Sequence, residues 1–217
     1  MRSRLVVIMT AVLLVCCSFL YSPPAAGQAF IEELVARNEP AVLVIEGTRL
    51  DGTVTQSSGC VVSKEGLILT TAHQVDNIKQ IQGRQSNGEI YTLSLVEMDT
   101  DRELALLQSD KPFPAAVAIG DARLLRAGAK LVTIATPVNL DFSVATGIVA
   151  NTSRTFRGFP VIQAELTAAA GSSGGPVFNQ KGEVVGLIMG VLEAQNWATI
   201  VIPVNNAFSM LERHGLY

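Results

Sequence analysis

Apolar residues in this chain come in short runs separated by polar and turn-forming positions. Between residues 41 and 108 the runs fall at 41–47, 59–62, 67–71, 78–82, 90–98 and 104–108, rich in Val, Ile, Leu and Thr. A second series falls at 130–135, 142–150, 161–164, 176–179, 183–189 and 199–202. Runs this short, bounded by Gly, Pro, Asn and Asp, predict strands rather than helices. Asn87-Gly88 and Lys181-Gly182 supply turn signals between them. The two sets of strands, with a connector near 112–129, predict an all-β protein of two packed six-stranded antiparallel barrels. Lobe one spans about 40–111 and lobe two about 130–203. Two segments carry helical periodicity instead: 30–37 as a short amphipathic helix before the first strand, and 204–212 as a closing helix.

The first segment reads differently. Met1-Arg2-Ser3-Arg4 is basic, 5–20 is apolar, and Tyr21-Ser22-Pro23-Pro24-Ala25-Ala26-Gly27-Gln28-Ala29 offers small residues. This is the pattern of a secretory signal over 1–29, cleaved between Gly27 and Phe30, with the domain occupying 30–217. The apolar run is shorter than the roughly 20 residues of a membrane span. Export to the periplasm or medium is therefore expected, with an uncleaved N-terminal anchor as the alternative. The hydrophobic fraction of 48% is inflated by this segment, and the net charge of −3 becomes more negative without Arg2 and Arg4. No cluster of Lys and Arg marks a nucleic-acid partner. Cys16 and Cys17 leave with the signal, so Cys60 stands alone in an apolar strand as a small buried hydrophobe, with no internal disulfide. No Cys/His cluster has metal-ligand spacing, and no metal or cofactor is expected.

Chemistry concentrates in Gly171-Ser172-Ser173-Gly174-Gly175-Pro176. A serine nucleophile needs its Oγ held out of a tight, bare loop with backbone N–H groups aimed at a developing oxyanion. Glycines allow the positive φ and close approach that such a loop demands. Ser173 is the candidate nucleophile, and the N–H groups of Gly171 and Ser173 are the candidate oxyanion hole. Serine needs a base, and imidazole titrates near neutral pH. Of the two histidines, His214 sits in a polar tail, whereas His73 ends the apolar strand Gly66-Leu67-Ile68-Leu69-Thr70-Thr71-Ala72. An acid must fix that imidazole's tautomer. Glu103 leads directly into Leu104-Ala105-Leu106-Leu107, with Asp101 and Asp99 as rivals.

In order and separation these elements resemble the trypsin-like serine proteases, specifically the bacterial HtrA/Deg-type branch. The resemblance runs from about Phe30 to Leu211. It rests on Pro40-Ala41-Val42, Ser58-Gly59-Cys60, Thr70-Thr71-Ala72-His73-Gln74-Val75, Glu103-Leu104-Ala105-Leu106-Leu107, Ile119-Gly120-Asp121, Thr146-Gly147-Ile148-Val149, Gln163-Ala164-Glu165, the serine loop, Gly182-Glu183-Val184-Val185-Gly186 and Ile202-Pro203. It implies a serine endopeptidase acting on proteins or peptides through a His73–Glu103–Ser173 triad. Its specificity pocket would draw on Thr167, Ala168, Ala169 and Ala170 and on the strand carrying Leu187, Ile188 and Met189. None of these is charged, so cleavage after small or medium apolar residues is expected, because an unpaired substrate charge would be costly to bury. Relatives often form trimers through N-terminal segments. Phe30–Val35 is the stretch that could serve, unless that helix packs on its own domain. The residues beyond Ser173 suffice for the second barrel and a helix, which implies a protease domain without the peptide-sensing PDZ module many relatives carry.

Two positions depart from the family pattern. Glu103 replaces the usual aspartate, and Ser172 stands where relatives carry Asn or Asp. An uncharged Ser172 cannot pair with a new N-terminal ammonium, so activation by N-terminal cleavage is not expected. The same departures motivate the alternative of a catalytically weak or inactive binding or scaffold protein on the protease fold. An α/β-hydrolase is excluded by order, since that class runs serine, acid, histidine with a G-x-S-x-G elbow.

Overall fold

Alternation of apolar side chains wraps the first strands around a closed core. In the computed structural model, which describes residues 26–156, 158–192 and 198–216, six strands form this barrel: β1 Val42–Arg49, β2 Val54–Val61, β3 Leu67–Thr70, β4 Ile78–Arg84, β5 Ile90–Asp99 and β6 Leu104–Ser109. They close in the order β1-β2-β3-β6-β5-β4, antiparallel throughout. Leu104, Ala105, Leu106 and Leu107 are all buried, so β6 is covered on both faces. Cys60 is fully buried, and burial pushes its thiol up to about 12.

The second half contains β7 Ala118–Ile119, β8 Lys130–Ala135, β9 Ser143–Phe156, β10 Phe159–Glu165, β11 Pro176–Phe178, β12 Glu183–Val191 and β13 Ala198–Pro203. The order β11-β8-β9-β10-β13-β12 closes through a β11–β12 pairing into a second six-stranded barrel, while β7 adds to β12 in parallel. Its core gathers Leu131, Val149, Ile162, Ala164, Val177, Val185, Ile188 and Val201. The predicted pair of six-stranded barrels is the observed architecture. The closing segment is a short 3-10 turn, Val204–Ala207, running into the helix Phe208–Arg213.

Most of the expected signal, residues 1–25, lies outside the described residues. The helix predicted over 30–37 spans Ala26–Asn38, so the expected cleavage zone from Gly27 to Phe30 falls on helix. The chain divides after Glu33, and the unit described below begins at Leu34.

Two strands are longer than their apolar pattern. β2 begins at Val54, through the polar run Thr55-Gln56-Ser57-Ser58 that goes from half-buried to buried, and β9 continues to Phe156 through largely exposed residues. Here hairpin partners supply the ladder: Thr48 to Ile45 face Val54 to Ser57, and Phe159 to Val161 face Phe156 to Arg154. Backbone pairing needs no apolar face, so such arms leave no periodic signal. A further correction bears on the site. The strand before His73 stops at Thr70, and His73 lies on a separate one-turn helix, Ala72–Val75. Thr70 is the last ladder partner of β6, after which Asp76 N–H closes the turn on Ala72 O at 3.0 Å.

The barrels meet through buried hydroxyls. Ser58, on β2, is fully buried and accepts from Thr136 N–H at 2.9 Å while donating to Gly171 O at 2.8 Å. Its own N–H donates to Ser173 O at 2.8 Å, and its carbonyl accepts from Thr70 Oγ1 at 2.8 Å. Gly174, at φ +84°, sits so close that a Cβ would lie 2.1 Å from Ser58 O and 2.3 Å from Thr70 Oγ1. Farther out, Gln56 donates to Thr136 O at 3.0 Å, and Arg84 pairs with Asp141 at 2.7 Å.

Gly174→Ala should destabilise the chain by about 2–4 kcal/mol, combining backbone strain with overpacking. Ser58→Ala should cost a similar amount, about 2–4 kcal/mol, by orphaning Thr136 N–H and Gly171 O. Urea midpoints check both, and parent-like midpoints would contradict this seating of the loop. Cys60 should resist iodoacetamide in the folded chain and react once urea unfolds it, as read by peptide mapping; rapid alkylation of native Cys60 would contradict its burial.

Candidate active site

The one-turn helix swings His73 away from the sheet and over the start of β6. Ala72 N–H donates to Glu103 O at 3.3 Å, and His73 N–H donates to Glu103 Oε1 at 2.8 Å. The same carboxylate oxygen takes His73 Nδ1 at 2.5 Å. A carboxylate accepts, so Nδ1 carries the proton, and a neutral ring keeps its lone pair on Nε2. Glu103 is buried, whereas the His73 side chain is 42% exposed.

Glu103 has φ +61°, a left-handed conformation costing a non-glycine residue about 1–2 kcal/mol. Three hydrogen bonds from Ala72 and His73 hold it there. The rival acids point elsewhere. Asp99 accepts from Arg102 N–H at 2.8 Å and from its guanidinium at 2.7 Å. Burial pushes the Asp99 carboxyl up, but these donors outweigh it and hold it below its ordinary value. Asp101 is exposed.

The serine loop is two consecutive turns. Ser172 N–H donates to Ala169 O at 2.9 Å with Gly171 at φ +93° in the third position, and Gly175 N–H donates to Ser172 O at 2.9 Å with Gly174 at φ +84°. Both have the type II form, in which the positive φ flips the central peptide relative to type I. That flip decides where Gly171 N–H faces. Ser172 is buried, and its Oγ accepts from Ala169 N–H at 3.1 Å, so an uncharged side chain closes the first turn. Gly174 N–H donates to Ile188 O at 2.7 Å. From Gly171 to Gly175, therefore, Ser172, Gly174 and Gly175 have acceptors. Among the described residues nothing accepts from the N–H groups of Gly171 and Ser173.

Ser173 Oγ donates to Met189 O at 3.0 Å, and His73 Nε2 lies 2.8 Å from the side-chain nitrogen of Gln74. Histidine and acid are joined; histidine and serine share no hydrogen bond in this state. Of the expected pocket residues, Thr167 and Ala168 line a cavity of about 530 Å³ that also holds Glu165, Leu166 and the 146–148 stretch of β9. Ala169 and Ala170 are exposed, and Ala170 O accepts from Val138 N–H at 2.9 Å. Leu187 and Ile188 are fully buried, and Met189 is half-buried. Sequence reasoning missed Ser58, Thr136 and Gln74. Ser58 and Gln74 lie within motifs read from the chain, yet their roles depend on partners that only the fold brings near.

Comparison with known proteins agrees with this geometry. The model of the trypsin-like peptidase domain matches residues 57–187. Serine protease HTRA1B of Danio rerio is 34% identical over 171 residues, covering 73% of this chain and 36% of that protein. A probable periplasmic serine endoprotease DegP-like of Halomonas elongata is 35% identical over 133 residues, covering 60% of this chain and 28% of that protein. The chain thus spans about a third of the length of the curated relatives it matches. Among solved structures, the HtrA-type protease AlgW with tripeptide superimposes with a TM-score of 0.78 at 25% identity, covering 84% of this chain and 62% of that one. A serine endoprotease from Yersinia pestis gives 0.77 at 28% identity, covering 89% and 67%. With two closed barrels, a histidine–carboxylate pair and a glycine-turned serine loop between them, the chain belongs to the trypsin-like peptidase family, in its HtrA-type branch.

Proposed function

We propose that this chain is an exported serine endopeptidase that cuts protein or peptide substrates by acyl transfer. Ser173 is the nucleophile, His73 the general base and acid, and Glu103 the acid that orients it. The N–H groups of Gly171 and Ser173 form the oxyanion hole. One observation carries the reading: two N–H groups with no acceptor among the described residues, on a loop already turned by the positive φ of Gly171. Export is supported by the signal pattern of residues 1–29 and by similarity to proteins named as periplasmic.

The chemistry follows the general template for this triad. Ser173 Oγ rotates from Met189 O to His73 Nε2 and attacks the substrate carbonyl carbon as its proton passes to the imidazole. The carbonyl oxygen becomes an anion and takes the two N–H groups; a single such donor is worth about 10²–10³ in kcat in a comparable site. Glu103 stabilises the imidazolium through Nδ1. His73 then protonates the leaving amine, the C–N bond breaks, and water repeats the attack on the acyl-enzyme with His73 again as base. Thr167, Ala168, Ala169, Ala170 and Met189 carry no charge, and the one carboxylate in the cavity of Thr167 and Ala168, Glu165, is solvent-exposed, which favours small or medium apolar residues.

The second reading is a protease-fold protein that binds without cutting. The hydroxyl of Ser173 on Met189 O, with no bond to His73, is what favours it. A fluorophosphonate probe separates the two: adduct confined to Ser173 supports the enzyme, and none on folded protein supports the binding module.

Glu103→Gln should lower kcat by on the order of 10²–10⁴ with little change in thermal stability, because the amide leaves the imidazole tautomer unfixed. Asp101→Asn should change it by less than about tenfold, as exposed charges contribute little. The reverse ranking would overturn the acid assignment. In a peptide-library digest, cleavage after Ala, Val or Leu should dominate and vanish in Ser173→Ala; dominant cleavage after Lys or Arg would rule out the specificity assignment.

A further inference from the structure

Gln74 follows His73 on the one-turn helix Ala72–Val75, with its N–H donating to Thr71 O at 3.3 Å. Its side chain folds back so that the amide nitrogen lies 2.8 Å from His73 Nε2. Since Nδ1–H donates its hydrogen bond to Glu103, Nε2 offers a lone pair, and the amide of Gln74 is the donor that fills it. That lone pair is the one Ser173 needs. At the same time Ser173 Oγ spends its proton on Met189 O at 3.0 Å. Both partners of the proton transfer are thus engaged elsewhere, each by a group within the chain.

We propose that Gln74 is a reversible cap on the general base. In the free protein its amide occupies Nε2 of His73, and it has to move aside before Ser173 hands over its proton. The inference rests on the proposed roles of His73 and Ser173. The cap is reversible because the ring is 42% exposed and the amide can exchange His73 for water at small cost. It is persistent because the donor is the next residue in the chain, with no loop to close. A residue without a donor at position 74 leaves Nε2 open to Ser173.

The test is the second-order rate of Ser173 labelling by a small fluorophosphonate, which probes the proton transfer without extended substrate contacts. The parent is compared with Gln74→Met, which keeps the side-chain length and removes the donor, and with Gln74→Ala. Both variants should react about threefold to tenfold faster than the parent, the range expected for one net hydrogen bond, with parent-like melting temperatures. Rates equal to or below the parent's in the methionine variant would overturn the cap, as would acceleration confined to alanine, which would trace the effect to bulk. If the parent takes no label, the failure belongs to the proposed activity. The ¹⁵N resonance of His73 Nε2 then decides the contact, with only two histidines in the chain to assign. The cap requires that resonance to move in Gln74→Met, and an unmoved one overturns it.

Discussion

The site depends on one buried hydroxyl. Ser58 Oγ accepts from the N–H of Thr136 and donates to the carbonyl of Gly171, so a strand of the first barrel holds two loops of the second. Its backbone adds the bond to Ser173 O and takes Thr70 Oγ1, three residues before His73. Buried polar groups are costly unless satisfied, so this arrangement has few alternatives. The serine loop is seated where Ser58 and Thr70 put it, and Gly174 is bare because a side chain there would strike both. Apolar packing builds each barrel, but it is non-directional and does not by itself fix the distance between a serine and a histidine.

The second constraint is the backbone at Glu103. A glutamate in the left-handed region carries a local cost that the helix turn at Ala72–His73 offsets with three hydrogen bonds. Acid and histidine are therefore one structural unit, closed before any substrate arrives. The serine is not yet part of it. Its hydroxyl rests on Met189 O and the amide of Gln74 rests on the imidazole; on the proposed mechanism, the donors for an oxyanion stand ready while the proton-transfer pair is apart.

Much of the fold was legible in the chain itself: twelve apolar runs predicted the two barrels because core-facing strands must alternate or be wholly apolar. Of the candidate site, the pairing of His73 with Glu103 and the positive φ of Gly171 are the expected features that the structure contains. Other parts were not legible, for physical reasons. The polar arms of β2 and β9 are paired through their backbones and show no period. His73 was placed at a strand end because Thr71 and Ala72 continue the apolar run, whereas the ladder stops at Thr70. Ser58 reads as an ordinary strand residue until Thr136 and Gly171 are brought to it from the other barrel. Leu187 and Ile188 are apolar and near the serine loop, but both are fully buried, and it is the backbone of Ile188 that meets the loop, at Gly174 N–H and Gly175 O.

On the function proposed above, the free chain already presents the N–H groups of Gly171 and Ser173 to a substrate oxyanion. A crystal structure of the chain with a peptide boronate tests it directly, because the tetrahedral adduct occupies the place of the reacting carbonyl. The expected structure has boron bonded to Ser173 Oγ, one boronate oxygen within about 3.1 Å of both N–H groups, and Gly171 still at positive φ. An adduct in which Gly171 has turned to negative φ, or in which the oxygen meets neither N–H, would contradict it.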